Sequence, residues 1–156
     1  MRVLIRGRNS QDFTMNRLLF LGMALLALSA VTSNATLRIE NDRGGQIGAY
    51  LKKFEKIKDS DEKVVIDGDC LSACTLILGL VSADRICVTP RARLGFHTAW
   101  KAGFIGIQVE NTAGTQILWN MYPSRIREWI AQSGGLSDRT LYLSGAELME
   151  LYPQCR

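Results

Sequence analysis

Residues 62–81 read EKVVIDGDCLSACTLILGLV, and this stretch is the most informative about the fold of the chain. The run from 62 to 66 is β-branched and apolar, which is typical of a buried strand. The DGD at 67–69 predicts a turn, and the apolar run from 75 to 81 predicts a buried helix. A strand, a turn and a buried helix in this order predict part of a βαβ unit.

The segment before this stretch supplies the other strand and helix of such a unit. Residues 36–40 predict a strand that ends in the NDRGG at 41–45, where two glycines permit a turn. Residues 46–58 predict a helix, because apolar side chains recur at helical spacing on one face. These side chains are Ile47, Tyr50, Leu51, Phe54 and Ile57.

The segment after it continues the alternation of strands and helices. Short strands are predicted at 85–88 and 94–96, and a helix over 115–132 is expected to break before Pro123 and to end at the two glycines of 134–135. Ser144 and Glu147 match the capping box of a last short helix. Residues 98–113 show no period, and we expect a surface loop or insertion there. The fold class is therefore α/β.

The first 35 residues have the layout of a cleavable signal peptide. Four arginines precede or border an apolar run from Leu18 to Val31, and small residues end the run at Ala35. A membrane anchor is the alternative, but this run is shorter than the roughly 20 residues of a spanning helix. We expect residues 1–35 to be removed, 36–156 to form the domain, and localisation to be periplasmic or secreted. Met15 is an alternative start.

The net positive charge of the chain comes largely from the predicted signal peptide. Of 19 basic and 15 acidic residues in the whole chain, 15 and 14 fall within 36–156. No basic patch interleaved with aromatic residues remains there, so nucleic acid is not an expected partner. Contact with a membrane is expected only transiently, through the signal peptide.

Cys70, Cys74, Cys87 and Cys155 all follow the predicted leader. An even number of cysteines in an exported chain predicts disulfides, here two, although the count alone does not give the pairing. A metal site with His97 is the alternative. C-x-x-x-C is not the usual spacing of paired zinc ligands, and the chain has one histidine, so no metal or other cofactor is predicted.

Ser72 and His97 are the candidate catalytic residues. Ser72 follows a predicted strand and turn at the start of an apolar helix, where free backbone amides can stabilise negative charge. A helix N-cap is the ordinary role of a serine at such a position. His97 follows an apolar strand, where an ordinary role is that of a hydrogen-bonded edge residue.

Four segments in sequence resemble the proteolytic subunit of the Clp protease family. NDRGGQI at 41–47 resembles its turn into a helix, and GDCLSAC at 68–74 resembles its nucleophile segment. LGFH at 94–97 resembles the strand that delivers its histidine, and residues 143–152 resemble the region before its final strand. The resemblance covers most of 37–155.

The resemblance implies a crotonase-type ββα core, truncated at the N-terminus because the family's first strand and helix are missing. It implies Ser72 as nucleophile, His97 as general base, and the amides of Gly45 and Ala73 as the oxyanion hole. The family's third catalytic residue, an aspartate, falls on or near Thr140, so Asp138 is the candidate substitute.

The resemblance also implies that Cys87 pairs with Cys155 and Cys70 with Cys74, and it makes a peptide or small ester the expected substrate. An exported protein has no ATP-dependent unfoldase as partner, and we predict no ring. Two functions remain open at this point. One is an exported serine hydrolase of peptidase type, and the other is a non-catalytic module on the same scaffold that binds a peptide or protein.

Overall fold

A computed structural model describes residues 35–156. The predicted signal peptide lies outside the described residues apart from Ala35, so its cleavage stays a prediction. The seven strands described are β1 (Thr36–Asp42), β2 (Lys63–Leu71), β3 (Ile86–Val88), β4 (Arg93–Phe96), β5 (Trp100–Ala102), β6 (Gln108–Glu110) and β7 (Leu141–Ser144). The five α-helices described are α1 (Ile47–Lys58), α2 (Ile77–Leu80), α3 (Thr112–Met121), α4 (Ser124–Gln132) and α5 (Gly145–Leu151).

The main sheet has the order β1-β2-β4-β7, with β3 beside β2. Strand β1 runs parallel to β2, with Leu37 opposite Val64, and helix α1 connects the two strands. This confirms the predicted βαβ unit and the α/β class. Strand β7 closes the sheet antiparallel to β4, with Leu143 opposite Leu94.

Strand β2 is longer than predicted, and the turn expected at 67–69 is wrong. The strand runs straight through Gly68 to Leu71. A Cβ atom at Gly68 would lie 1.8 Å from the carbonyl oxygen of Glu40, at the place where β1 shifts its register. Glycine is therefore needed here for the close approach of two backbones rather than for a change of direction.

One edge of β2 pairs with β1, and its other edge is divided between two strands. Residues 64–66 pair with β3, and 69–71 pair with β4. Because β3 and β4 lie on this same edge, β2 forms the centre of the sheet, and its carboxyl end carries Ser72.

The core lies between this sheet and the helices that pack on it. Fully buried side chains from the strands and from α1 to α5 form a single cluster. The largest are Tyr122, Tyr152, Phe54, Phe96, Ile66, Leu76, Ile77 and Ile86. Each fully buried aliphatic or aromatic side chain contributes about 1.5–3 kcal/mol of hydrophobic free energy.

Both disulfides have the predicted pairing. Cys70 is joined to Cys74, and Cys87 is joined to Cys155. Residues 153–155 run beside β3, where the N–H of Val88 donates to the carbonyl of Pro153 at 2.9 Å and the N–H of Cys155 donates to the carbonyl of Val88 at 3.0 Å. This segment forms a single bridge at Gln154 instead of the full last strand that was expected.

The predicted helix over 115–132 is divided at Pro123 into α3 and α4, as expected. The predicted capping box before α5 is wrong in its chemistry. Helix α5 does begin after Ser144, but no side-chain cap hydrogen bond is formed there.

The segment 98–113 contains a β-hairpin, which the sequence did not predict. Strands β5 and β6 pair antiparallel, with Lys101 opposite Val109. The side chains of Phe104 and Ile105 at its tip are 91% and 84% exposed, so this hairpin stands outside the core. No helix within residues 35–156 has both the length and the apolar character that crossing a membrane requires.

Candidate active site

Ser72 lies where β2 ends and a 3₁₀-helix over Ser72–Leu76 begins. Its φ is 56°, in the left-handed region that residues other than glycine rarely enter. This conformation costs roughly 1–2 kcal/mol for a residue with a Cβ atom. Strained backbone of this kind is concentrated at functional sites, where the surrounding structure holds it in place.

Two sets of contacts hold the Ser72 turn. The Cys70–Cys74 disulfide spans it, and both cysteines are completely buried. The Thr75 hydroxyl donates to the carbonyl of Ser72 at 2.6 Å, and its Oγ1 also lies 2.8 Å from the Tyr122 hydroxyl. Burial raises the pKa of Tyr122 to about 12, so this phenol keeps its proton at neutral pH.

The first glycine of the Gly44–Gly45 pair packs directly against this turn. A Cβ atom at Gly44 would lie 2.5 Å from the Leu71 carbonyl oxygen and 2.8 Å from Ser72 Cβ, and the φ of Gly44 is +80°. Only glycine meets both demands. The sequence predicted a role for Gly45 but did not predict this contact of Gly44.

The two amides predicted to form an oxyanion hole belong to Gly45 and Ala73. Gly45 follows Gly44 at the cavity wall, and Ala73 follows Ser72 in the first turn of the 3₁₀-helix. Neither N–H group donates to a backbone carbonyl or a side chain among residues 35–156. Neither amide therefore has a protein partner, and Gly45 lines the cavity, whereas Ala73 is fully buried and is not among the lining residues.

His97 follows β4, and strand pairing brings that strand beside the end of β2, with Gly95 opposite Leu71. Its Nδ1 lies 2.6 Å from the carbonyl oxygen of Thr98. Because a carbonyl can only accept, Nδ1 carries the hydrogen, and Nε2 of the neutral ring is left as a hydrogen-bond acceptor. That is the tautomer a general base requires.

Ser72 and His97 line the same cavity, which has a volume of about 660 Å³. Within residues 35–156 no hydrogen bond joins Ser72 Oγ to His97. Catalytic hydrogen bonds are often long or poorly aligned without a ligand and tighten when substrate binds. The fold thus places Ser72 and His97 at the ends of neighbouring strands that face one cavity.

Asp138 is not paired with His97. Its side chain is exposed, and in the described part of the chain it forms neither a hydrogen bond nor an ion pair with the histidine. The Thr98 carbonyl takes the position at Nδ1 that a carboxylate would occupy. The N–H of Thr98 in turn donates to the carbonyl of Ser137 at 2.8 Å, which fixes the segment that orients His97.

The remaining walls come from helix α1 and from strand β5. Gln46, Ile47 and Gly48 at the start of α1 line the cavity, and no side chain caps that helix end. Unpaired N–H groups at a helix start carry a partial positive charge. Arg43 and Lys101 lie at the same cavity, and none of its described lining residues is acidic. The site therefore favours negative charge.

The alternative of a metal site on cysteines is not supported. All four sulfur atoms are in disulfides, so none is free as a thiolate ligand. No group of three or more His, Cys, Asp or Glu side chains that could hold a metal ion occurs in residues 35–156.

No protein-family model matches this chain, and no curated protein matches it. Among solved structures, one similar chain is a ClpP1 variant from Listeria monocytogenes. It is 24% identical, with a TM-score of 0.46, and the match covers 87% of this chain and 76% of that one.

Proposed function

We propose that the chain is a serine hydrolase of peptidase type, with Ser72 as nucleophile and His97 as general base. The observation that carries this proposal is the φ of 56° at Ser72, beside two amides without protein partners and in one cavity with His97. A serine that served only as a helix cap would have extended backbone and would gain nothing from this strain.

The reaction begins when Nε2 of His97 takes the proton of the Ser72 hydroxyl as Oγ attacks the substrate carbonyl carbon. The carbonyl oxygen then carries the negative charge, and the amides of Gly45 and Ala73 donate to it. The imidazolium next protonates the leaving amine or alcohol, which departs and leaves an acyl-serine. Water, activated by His97, hydrolyses this ester and restores the serine.

In this site the orientation of His97 would come from the Thr98 carbonyl instead of a carboxylate. A neutral carbonyl stabilises the imidazolium less than an ionised carboxylate does, so we expect slow turnover. The role of Asp138 as third catalytic residue stays a prediction, because its carboxylate would have to move before it could reach the ring.

The substrate we propose is a peptide, an unfolded segment or a small ester, which a cavity of about 660 Å³ can admit at a scissile bond. Two disulfides support an oxidising location, periplasmic or secreted, because such bonds persist there. In that location an ATP-dependent unfoldase is not an expected partner.

The second candidate function is a non-catalytic module that binds a peptide or protein. The missing contact between Ser72 Oγ and His97, and the absence of a carboxylate at Nδ1 in the described residues, favour it over an efficient enzyme. Such a module would use the same cavity for binding and would leave Ser72 unreactive.

The test is labelling of the purified, oxidised protein with a fluorophosphonate, followed by peptide mapping. We expect one label on Ser72, none in Ser72→Ala, and a strongly reduced rate in His97→Ala. The exposed Ser124→Ala serves as the matched control and should label like the wild type. Absence of a label on Ser72 in the folded, oxidised protein contradicts the hydrolase and leaves the binding module.

A further inference from the structure

Asp42, the last residue of β1, connects three parts of the structure through its carboxylate. Oδ1 accepts from the N–H of Gly44 at 2.9 Å and also from the Tyr50 hydroxyl. Oδ2 lies 3.5 Å from Lys53 Nζ. The side chain is 19% exposed and so is largely enclosed by these partners.

Tyr50 completes the contact on the helix side. Its ring packs edge-on against Phe54, with centroids 5.6 Å apart, and Phe54 is fully buried. Burial, together with the hydrogen bond to Asp42, raises the pKa of the Tyr50 phenol, so it remains a donor at all physiological pH values. A Cβ atom at Gly45 would lie 3.4 Å from Tyr50 Cε2, which places the ring next to the second glycine as well.

These contacts determine where the glycine pair sits relative to the nucleophile. Asp42 fixes the N–H of Gly44, Tyr50 lies beside Gly45, and Gly44 packs on Ser72 Cβ. Two glycines have more backbone freedom than any other dipeptide, so a precise position requires an external constraint. Among residues 35–156, the Asp42 carboxylate is the side-chain acceptor for the turn amide of Gly44.

We propose that Asp42, held by Tyr50, is a positioning residue that aims the Gly45 amide at the oxyanion. The inference rests on the proposed function, because an oxyanion forms only if Ser72 attacks a carbonyl. Asp42 itself is not among the described residues that line the cavity. It acts through Gly44 on the geometry of the transition state.

This role needs two acceptor positions on one oxygen rather than a negative charge. In Asp42→Asn the amide oxygen can still accept from Gly44 and from Tyr50, and only the contact with the half-exposed Lys53 is lost. A surface ion pair of that kind contributes little. Asp42→Ala removes both acceptor positions, so the two variants separate positioning from charge.

The experiment measures fluorophosphonate labelling of Ser72 as a function of reagent concentration, which separates the maximal rate from the half-saturating concentration. For Asp42→Ala we expect the maximal rate to fall at least tenfold with little change in half-saturation, because displacement of one oxyanion donor acts on the transition state. Asp42→Asn should stay within about threefold of the wild type, and Tyr50→Phe should fall between the two.

Asp69→Ala is the matched control. Asp69 also carries a carboxylate at the sheet, its side chain is 23% exposed, and its partner is Arg93. We expect its maximal labelling rate to match that of the wild type. Urea unfolding of each variant shows whether it is folded; if Asp42→Ala does not fold, Asp42→Asn and Tyr50→Phe carry the test.

The failures are distinguishable. If the wild type is not labelled, the proposed function is wrong. If the wild type is labelled but Asp42→Ala reacts at the wild-type rate, or no slower than Asp69→Ala, the positioning role is wrong. An equal loss in Asp42→Asn and Asp42→Ala would also overturn it, because the amide retains the acceptor.

Discussion

Cys70 and Cys74 are bonded to each other across the turn in which Ser72 adopts a φ of 56°. The bond joins cysteines only four positions apart in sequence, whereas the cysteines of the second disulfide are 68 positions apart. The short bridge therefore restricts the unfolded chain little and the Ser72 turn strongly. The long bridge does the reverse.

The two disulfides should separate stability from reactivity. In the chain-entropy model we expect Cys87→Ala with Cys155→Ala to lower the free energy of unfolding by about 4 kcal/mol, and Cys70→Ala with Cys74→Ala by about 2 kcal/mol. Labelling of Ser72 should nevertheless fall at least tenfold only in the second pair, because that pair frees the turn. Urea titration measures the free energy of unfolding, and labelling of the folded fraction measures the reactivity of Ser72. Equal labelling in the two double variants would contradict this role of the short bridge.

The glycine that packs on Ser72 should not tolerate a side chain. Gly44→Ala places a Cβ atom 2.5 Å from the Leu71 carbonyl oxygen at a φ of +80°, so we expect a loss of stability of roughly 2 kcal/mol or more. Gly48→Ala, in helix α1 with no atom within 4 Å of the new Cβ, should raise stability by about 0.5 kcal/mol. Thermal unfolding of the two variants measures these changes in stability. Similar changes for Gly44→Ala and Gly48→Ala would refute the close packing at Gly44.

Stability should fall in acid because of Asp67. This carboxyl group is buried, and its pKa is lowered by the hydrogen bond from Arg91 and then by that from Thr89. A carboxyl group with a lower pKa in the folded state stabilises the protein above its unfolded pKa, near 3.9, and loses this contribution as pH falls further. We expect the urea concentration at the unfolding midpoint of the wild type to decrease as the pH falls below about 4.

The comparison for that experiment is Asp67→Asn. This variant should be less stable than the wild type at pH 6, and the difference should narrow as the pH falls below about 4. In that range the unfolded wild type takes up a proton on Asp67 while the folded state still holds the carboxylate ionised, so the stabilisation that Asp67 provides is lost progressively. The exposed Asp61→Asn should follow the wild-type curve throughout. A constant difference between wild type and Asp67→Asn at all pH values would exclude Asp67 as the titrating group.

The hairpin outside the core contains a residue whose conformation is unfavourable. Ile105 has a φ of 57°, where a β-branched side chain is strained. We expect Ile105→Gly to raise the free energy of unfolding by about 0.5–1 kcal/mol. Ile107, with a φ of −67°, is the control, and Ile107→Gly should lower it. A loss of stability in both variants would show that Ile105 is not strained in solution.

Much of the fold follows from local patterns in the sequence. The apolar spacing from Ile47 to Ile57 predicts α1, and Pro123 predicts the break between α3 and α4, because each depends on neighbours along the chain. The turn predicted at 67–69 failed for a different reason. Gly68 is required because the carbonyl of Glu40, on another strand, lies against it. A contact between residues so far apart in sequence cannot be predicted from residues 67–69.

The candidate site also has parts that the sequence predicts and parts that it does not. Ser72 and His97 were named from sequence, and the fold brings both to one cavity. The contact of the Thr98 carbonyl with His97 could not be predicted, since every residue has a carbonyl. Asp42 did leave a signal: an aspartate two residues before a glycine is the pattern in which a side chain accepts from a turn amide.

The central position of β2 has a consequence for hydrogen exchange. Its amides face neighbouring strands along both edges, so they should exchange with deuterium only when the whole domain unfolds. The amide of Ala73, two residues beyond that strand, has no protein acceptor within the described residues, so the burial of this residue and not a hydrogen bond of the sheet limits its exchange. The hydrogen bonds of the central strand thus end directly before Ser72, and opening of the turn alone should be enough to release the Ala73 amide.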